Sequence, residues 1–191
     1  MADVRMSEGP PPTLFGSTGP ISVEALSRKD GNALLARWGH ILGPCNRPFG
    51  QQQWGLVVLG EVVSVAISAS TVSSTVTDEH GMVWTRPQII ELARICSAPG
   101  GGWATRPMLR LWRSVLGPQM WPHWPVSMAV SYATPGKKGD IYRFDGWRRV
   151  RTCKPSSPGK TSTWSKPSAT DAIGDGRKTL WVFRYQDEVC G

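Results

Sequence analysis

Pro99-Gly100-Gly101-Gly102-Trp103-Ala104-Thr105-Arg106 is the stretch of this 191-residue chain best suited to holding a phosphate. Glycines let a backbone approach a ligand closely, the first N–H groups of a helix point at it, and the helix dipole favours its negative charge. Arg106 adds a charged fork, and Arg110 follows one helical turn later. A pyrophosphate would touch Ser97, Gly100, Gly101, Gly102, Trp103, Ala104, Thr105 and Arg106; a flexible connection ahead of a helix is the bland alternative. No GK[ST] follows the glycines and GxGxxG is absent, so neither a Walker loop nor a dinucleotide fingerprint is present.

Tyr142 is the second candidate for chemistry. It follows a GKKGD turn and precedes Phe144-Asp145-Gly146-Trp147. A phenol with a pKa near ~10 can protonate a leaving thiolate, or it can be a core aromatic with a wet tip. His40 ends the first helical region and could serve as a base, a metal ligand or a cap. His80 and His123 lie in loops without ligand spacing. Cys45, Cys96, Cys153 and Cys190 are far apart and form no CxxC pair, so a disulfide scaffold and a zinc ribbon both fit poorly and a reducing cytoplasm fits better.

Charge points to a partner. The chain carries 22 Lys and Arg against 14 Asp and Glu, a formal +8. Between Arg86 and Lys154 there are twelve cations and three acids, so this segment carries +9 and the remainder −1. Such a segment suits a polyanion, either nucleic acid or a phosphate-rich cofactor, although a solvated basic face is the alternative. Trp103, Trp112, Trp121, Trp124 and Trp147 interleave with it, and Arg beside Trp is the chemistry of base stacking. Hydrophobic residues at 40% give enough material for a core, and no apolar run approaches the ~18 residues of a membrane span.

These residues need elements to position them. Residues 1–20 read as a disordered leader rich in Pro and Gly, and their lack of an apolar region argues against export. From Ile21 the pattern is helical, with Ser22 as N-cap, Val23, Leu26, Leu34, Leu35 and Trp38 on one face, and Gly31 as a break point. Trp54–Leu59 and Val62–Ala69 read as a hairpin around Gly60-Glu61. TDEHGMVWTRP reads as loop, and Ile89–Ser97 as a strand or a short helix. After the glycine loop, MLRLWRSVL is an amphipathic helix with Met108, Leu111, Trp112 and Val115 on its stripe, stopped by Gly117-Pro118. Beyond the WPHWP loop come a buried strand over Val126–Ala133, a short turn or helix at Ile141–Trp147, a strand, a polar loop over about 153–176, and a final strand in RKTLWVFRYQ. The sum is α/β with a mixed sheet, in one domain over 21–191.

A strand ending in a glycine-rich loop, then a helix, a buried strand and an IYxxxGW segment resembles the GCN5-related N-acetyltransferase layout. That resemblance implies a mixed, mostly antiparallel sheet flanked by helices, with acetyl-CoA or a related acyl donor held by the loop. It also implies pantetheine along Val126–Ala133 and Tyr142 as general acid. Within this superfamily, IIELARICS, MLRLWRSVL, AVSYATPGKKGDIYRFDGW and LWVFRYQ together resemble the bacteriophage Mom-type DNA-modification proteins over roughly residues 34–186. Members convert adenine in DNA to its N6-carbamoylmethyl derivative and so evade restriction. The resemblance implies a duplex partner with the target base flipped, and a host-cell cytoplasmic location. Tyr142, His40 and Asp145 would serve catalysis. Lys137, Lys138, Arg143, Arg148 and Arg149 would contact the backbone, and Trp147 would stack on the base. Thr134 stands where the family has Asp, and Lys137 where it has His; Asp140 or Asp145 is the available substitute, and the metal is left open. An acetyltransferase of a small amine or a protein, and a non-catalytic nucleic-acid-binding module, are the other two functions this pattern allows.

Overall fold

A computed structural model describes residues 21–47, 49–119, 125–134, 136–153 and 178–185. The 1–20 leader, the WPHWP segment through Trp124 and nearly all of the 153–176 loop lie outside the described residues. The described chain forms two compact units: one takes residues up to Ala69 together with Ala93–Leu116, the other Ser70–Leu92 and the residues from Gly117 onward.

In the first unit, β1 (Ile21–Leu26) runs antiparallel to β2 (Gln52–Val58), from Ile21 opposite Val58 to Leu26 opposite Gln53. Residues 21–26 are therefore strand, where the spacing of Val23 and Leu26 predicted helix. Edge position is the reason. Both faces of β1 stay at least partly exposed, so no alternation marks it. The helix α1 begins later, at Arg28–Arg37, and its cap is Ser27 rather than Ser22. The Ser27 hydroxyl oxygen accepts the Asp30 N–H at 3.1 Å. Gly31 does not break α1, because its bare Cα lets the helix sit on Gln53, whose side chain a Cβ there would strike.

β2 turns back into β3 (Glu61–Ala69) through Leu59 and Gly60, both left-handed at φ 55° and 83°. That is the type I′ arrangement, one residue earlier than the Gly60-Glu61 turn expected. Every β3 residue after Glu61 is buried, as a central strand requires. Leu35, Cys45, Val65, Ile67, Ala69 and Ala93 make the core on one side.

β6 (Ile89–Ser97) is the strand shared by the two units. In the second unit, its first four residues pair in parallel with β7 (Met128–Ala133), ending at Leu92 opposite Ser131. β9 (Lys178–Arg184) runs antiparallel to β7, and β8 (Arg148–Cys153) antiparallel to β9 at the sheet edge. The resulting order is β1-β2-β3-β6-β7-β9-β8, a seven-stranded, mostly antiparallel sheet flanked by helices. This is the fold class expected. Ile89, Met128, Val130, Leu180 and Val182 anchor the second unit's core.

The stretch expected as loop forms a small hairpin instead, β4 (Thr75–Thr77) with β5 (Val83–Thr85), before a 3₁₀ turn at Arg86–Gln88. Asp78 closes it by accepting the His80 and Met82 N–H groups and the Trp84 indole N–H. Among the described residues no helix is long and apolar enough to cross a membrane.

Candidate functional site

In the first unit, β6 leads through Ala98 and Pro99 into the glycines, and α2 (Gly102–Leu111) starts immediately after. The helix begins earlier than its apolar stripe suggests, so Trp103 to Arg106 are helical and Pro107 lies inside it. A π-helical turn, Trp112–Leu116, follows and rotates the stripe: Ala104, Met108, Leu109 and Trp112 are buried while Val115 is exposed.

Each of the three glycines has its own reason. Gly100 is left-handed at φ 77°. A Cβ on Gly101 would stand 2.9 Å from the Ala98 carbonyl oxygen and 3.5 Å from that of Val63. A Cβ on Gly102 would meet nothing within 4 Å, so the space over the helix start is open. Gly101 and Ala104 have internal uses for their N–H groups, donating to Ala98 and Gly101 at 2.8 Å each. Gly102 and Trp103, at the first turn, have no intrahelical acceptor for theirs. The Trp103 indole N–H is buried without a partner among the described residues. Arg106 and Arg110 are exposed on one helix face. These donors suit a diphosphate. Ala104 is wholly buried and supports the helix from beneath, so its side chain contacts core rather than ligand.

A chain of hydroxyls ties this loop to the sheet. Ser64 donates to the Cys96 carbonyl at 2.8 Å and Ser97 donates to Ser64 at 3.0 Å. With its proton so committed, Ser97 accepts from Thr105 across 2.7 Å. Ser64 had no signal in the sequence, since the contact joins residues 33 apart.

His40 sits in the same unit with both ring nitrogens on the backbone. Nδ1 accepts the Leu42 N–H at 3.2 Å, and the ring also hydrogen-bonds at Ile95. Burial, and then the Arg94 guanidinium, lower its pKa to about 4. The ring is thus neutral near pH 7 and braces the turn after α1. Arg94 itself donates to the Gly43 and Ala93 carbonyls.

In the second unit Tyr142 lies on α3 (Asp140–Arg143), which starts from left-handed Gly139. A Cβ on Gly139 would come within 2.5 Å of the Trp181 indole nitrogen, so only glycine lets α3 sit this close to β9. The Tyr142 ring stacks on Trp181 at 5.8 Å and meets Trp147 edge-on at 5.3 Å. Its hydroxyl lies 2.9 Å from Ser131 Oγ, which donates to the Leu92 carbonyl at 2.9 Å. Ser131 has one proton and gives it to Leu92, so Tyr142 is the donor between them. Burial raises the Tyr142 pKa, and the phenol keeps its proton at neutral pH.

Asp145 is buried and accepts the Trp147 indole N–H at 3.2 Å. Among the described residues no group of three or more His, Cys, Asp or Glu is placed to hold a metal. Lys137, Lys138, Arg143, Arg148, Arg149 and Arg151 are all exposed. Trp147 is not. It is 3% exposed and packed between Tyr142 and Phe183, which leaves no face on which a base could stack. The exposed aromatic of this segment is Phe144, at 60%.

No family model matches the chain, and no curated protein does. Solved structures do. Aminoglycoside acetyltransferase AAC(6')-Ib, in complex with paromomycin and acetyl-CoA, is similar with a TM-score of 0.55 and 13% identity, over 89% of this chain and 96% of that one. The ribosomal-protein-S18-alanine N-acetyltransferase from Escherichia coli has a TM-score of 0.51 and 12% identity, over 86% and 94% of the two chains. The ribosomal-protein-alanine N-acetyltransferase from Brucella melitensis has a TM-score of 0.51 and 14% identity, over 85% and 99%. The fold is that of the GCN5-related N-acetyltransferases.

Proposed function

We propose that this protein is an acyltransferase-like enzyme that acts on DNA as the Mom-type proteins do but makes the related acyl modification: the exocyclic amine of adenine forms an amide with the acyl carbon of acetyl-CoA or a related donor as the C–S bond breaks and the amine's proton is lost. One observation carries the DNA assignment: the exposed cations are concentrated over Lys137–Arg151, on the segment that also holds Tyr142. A duplex carries a phosphate charge about every 1.7 Å of its axis, and exposed cations are the groups that neutralise it.

A coenzyme A thioester supplies, when bound, an activated carbonyl and a thiolate leaving group. The N–H groups of Gly102 and Trp103, the Trp103 indole and Arg106 are the donors assigned to its diphosphate. Tyr142 holds a proton on a phenol whose burial keeps it protonated, as a general acid requires. The cations grip the backbone while the target base leaves the stack, at a cost of a few kcal/mol. Asp145 acts through Trp147, holding the wall against which Tyr142 packs.

Mass spectrometry of nucleosides from cells expressing the wild type and Tyr142→Phe is the test. The wild type should yield a heavier deoxyadenosine species that Tyr142→Phe largely loses. A normal nucleoside profile from abundant, folded wild-type protein refutes the assignment.

A further inference from the structure

The turn from Gly139 to Arg149 has a buried side and an outward side. Tyr142, Asp145 and Trp147 are buried, while Arg143, Phe144, Gly146, Arg148 and Arg149 are exposed. Hydrogen bonds make it rigid. Phe144 N–H donates to Asp140 at 3.0 Å, and the Asp145 and Trp147 N–H groups both donate to the Tyr142 carbonyl, at 3.0 and 3.1 Å. Phe144 therefore stands out from a braced support. The Arg143 guanidinium carbon lies 5.6 Å from its ring centroid, a cation–π pair at the surface. Among the described residues of the second unit it is the one exposed aromatic, and Lys137, Lys138, Arg148, Arg149 and Arg151 flank it in sequence.

A cation cluster alone fits any polyanion. An outward phenyl ring beside an arginine adds a surface for a π-face, and the chemistry that offers both is a nucleobase joined to phosphates. In an intact duplex those faces are covered by neighbouring bases. We infer that Phe144 with Arg143 is a stacking platform for an unpaired nucleobase, so this surface takes single-stranded or locally opened DNA in preference to closed duplex. The inference rests on the nucleic-acid reading above and specifies the state of the strand.

Fluorescence anisotropy of the full chain against labelled oligonucleotides tests it, with one mixed-sequence 20-mer offered as single strand and as duplex. The single strand should bind tighter. Phe144→Ala should weaken single-strand binding about tenfold, within the range of one lost stacking contact, and Phe144→Trp should restore it. The salt slope should stay unchanged in both variants, whereas Lys137→Ala should reduce it by about 0.7. Heparin, a polyanion without bases, should bind wild type and Phe144→Ala equally, and unchanged melting temperatures show that the fold is intact. Equal oligonucleotide binding by wild type and Phe144→Ala, or tighter binding of the duplex, overturns the platform and leaves the DNA reading standing. Failure of the wild type to bind either form in 50 mM salt overturns both.

Discussion

The hydroxyl pair Tyr142–Ser131 makes a quantitative prediction about coupling. In Ser131→Ala the buried phenol O–H loses its acceptor and the Leu92 carbonyl loses a donor. An orphaned buried hydroxyl costs about 1–3 kcal/mol and a lost hydrogen bond about 1 kcal/mol more, so about 3 kcal/mol is expected. Tyr142→Phe removes the donor but leaves Ser131 bonded to Leu92, and should cost about 1 kcal/mol. In the double variant no phenol remains to be orphaned. Its cost should be about 1.5–2 kcal/mol, below that of Ser131→Ala alone, which corresponds to a coupling of about 2 kcal/mol. Urea unfolding reads this directly: with a slope of about 2 kcal/mol/M, adding Tyr142→Phe to Ser131→Ala should raise the midpoint by about 0.5 M. Costs that simply add would refute the donor–acceptor assignment between these hydroxyls.

His40 predicts a pH dependence with a definite sign. The folded ring titrates at about 4 and the unfolded one near 6.5, so the unfolded chain binds the proton first. Stability should be full above 6.5, decline as pH falls toward 4 by about 2 kcal/mol after allowance for partial exposure, and flatten below. Urea midpoints of wild type and His40→Gln at pH 7 and pH 5 check this: the variant should lose less, and an equal loss would remove His40 from the account. Gly102→Ala places a Cβ in open space, so its melting temperature should hold or rise while calorimetric coenzyme A affinity falls at least about tenfold. Unchanged affinity would mean that the helix start is not the diphosphate site. Gly139→Ala combines a left-handed residue with a collision at Trp181, and should cost about 2–4 kcal/mol, a thermal shift near 8 °C by scanning calorimetry.

The buried strands were the legible ones. Ile89–Ser97 alternates weakly, Val126–Ala133 is mostly apolar and RKTLWVFRYQ has the apolar stretch Leu180–Phe183 at its centre, and the observed strands lie within all three. β1 was not legible, since an edge strand open on both faces has no period of two to display. The β4–β5 hairpin was hidden for another reason: its strands are three residues long and its closure depends on Asp78, whose role appears only when Trp84 folds back onto it. The start of α2 was obscured by Gly102 and Pro107, residues whose helix propensities oppose the position they hold. Tyr142 stood out by spacing, but its partner Ser131 is eleven residues away on another element and carries no local mark. Trp147 is followed directly by Arg148 and Arg149 in the sequence. Adjacency along the chain does not tell which side of a turn a ring takes, and the tighter-packed side took the tryptophan.

That exchange has a physical logic. The indole of Trp147 is the larger apolar surface and has an N–H that Asp145 satisfies inside the fold. Burying it against Phe183 fixes the turn and gives Tyr142 one of its two aromatic neighbours. Phe144, with no polar atom to satisfy, can be left outside at the loss of about 2 kcal/mol of burial. The same anchors thus set the direction of the phenol proton on one side and the stance of the exposed ring on the other. In the proposed reaction, a phenol held toward Ser131 must give up that bond before it can donate elsewhere. Any group proposed to receive its proton has to compete with a buried serine oxygen, which a developing thiolate would do through its charge.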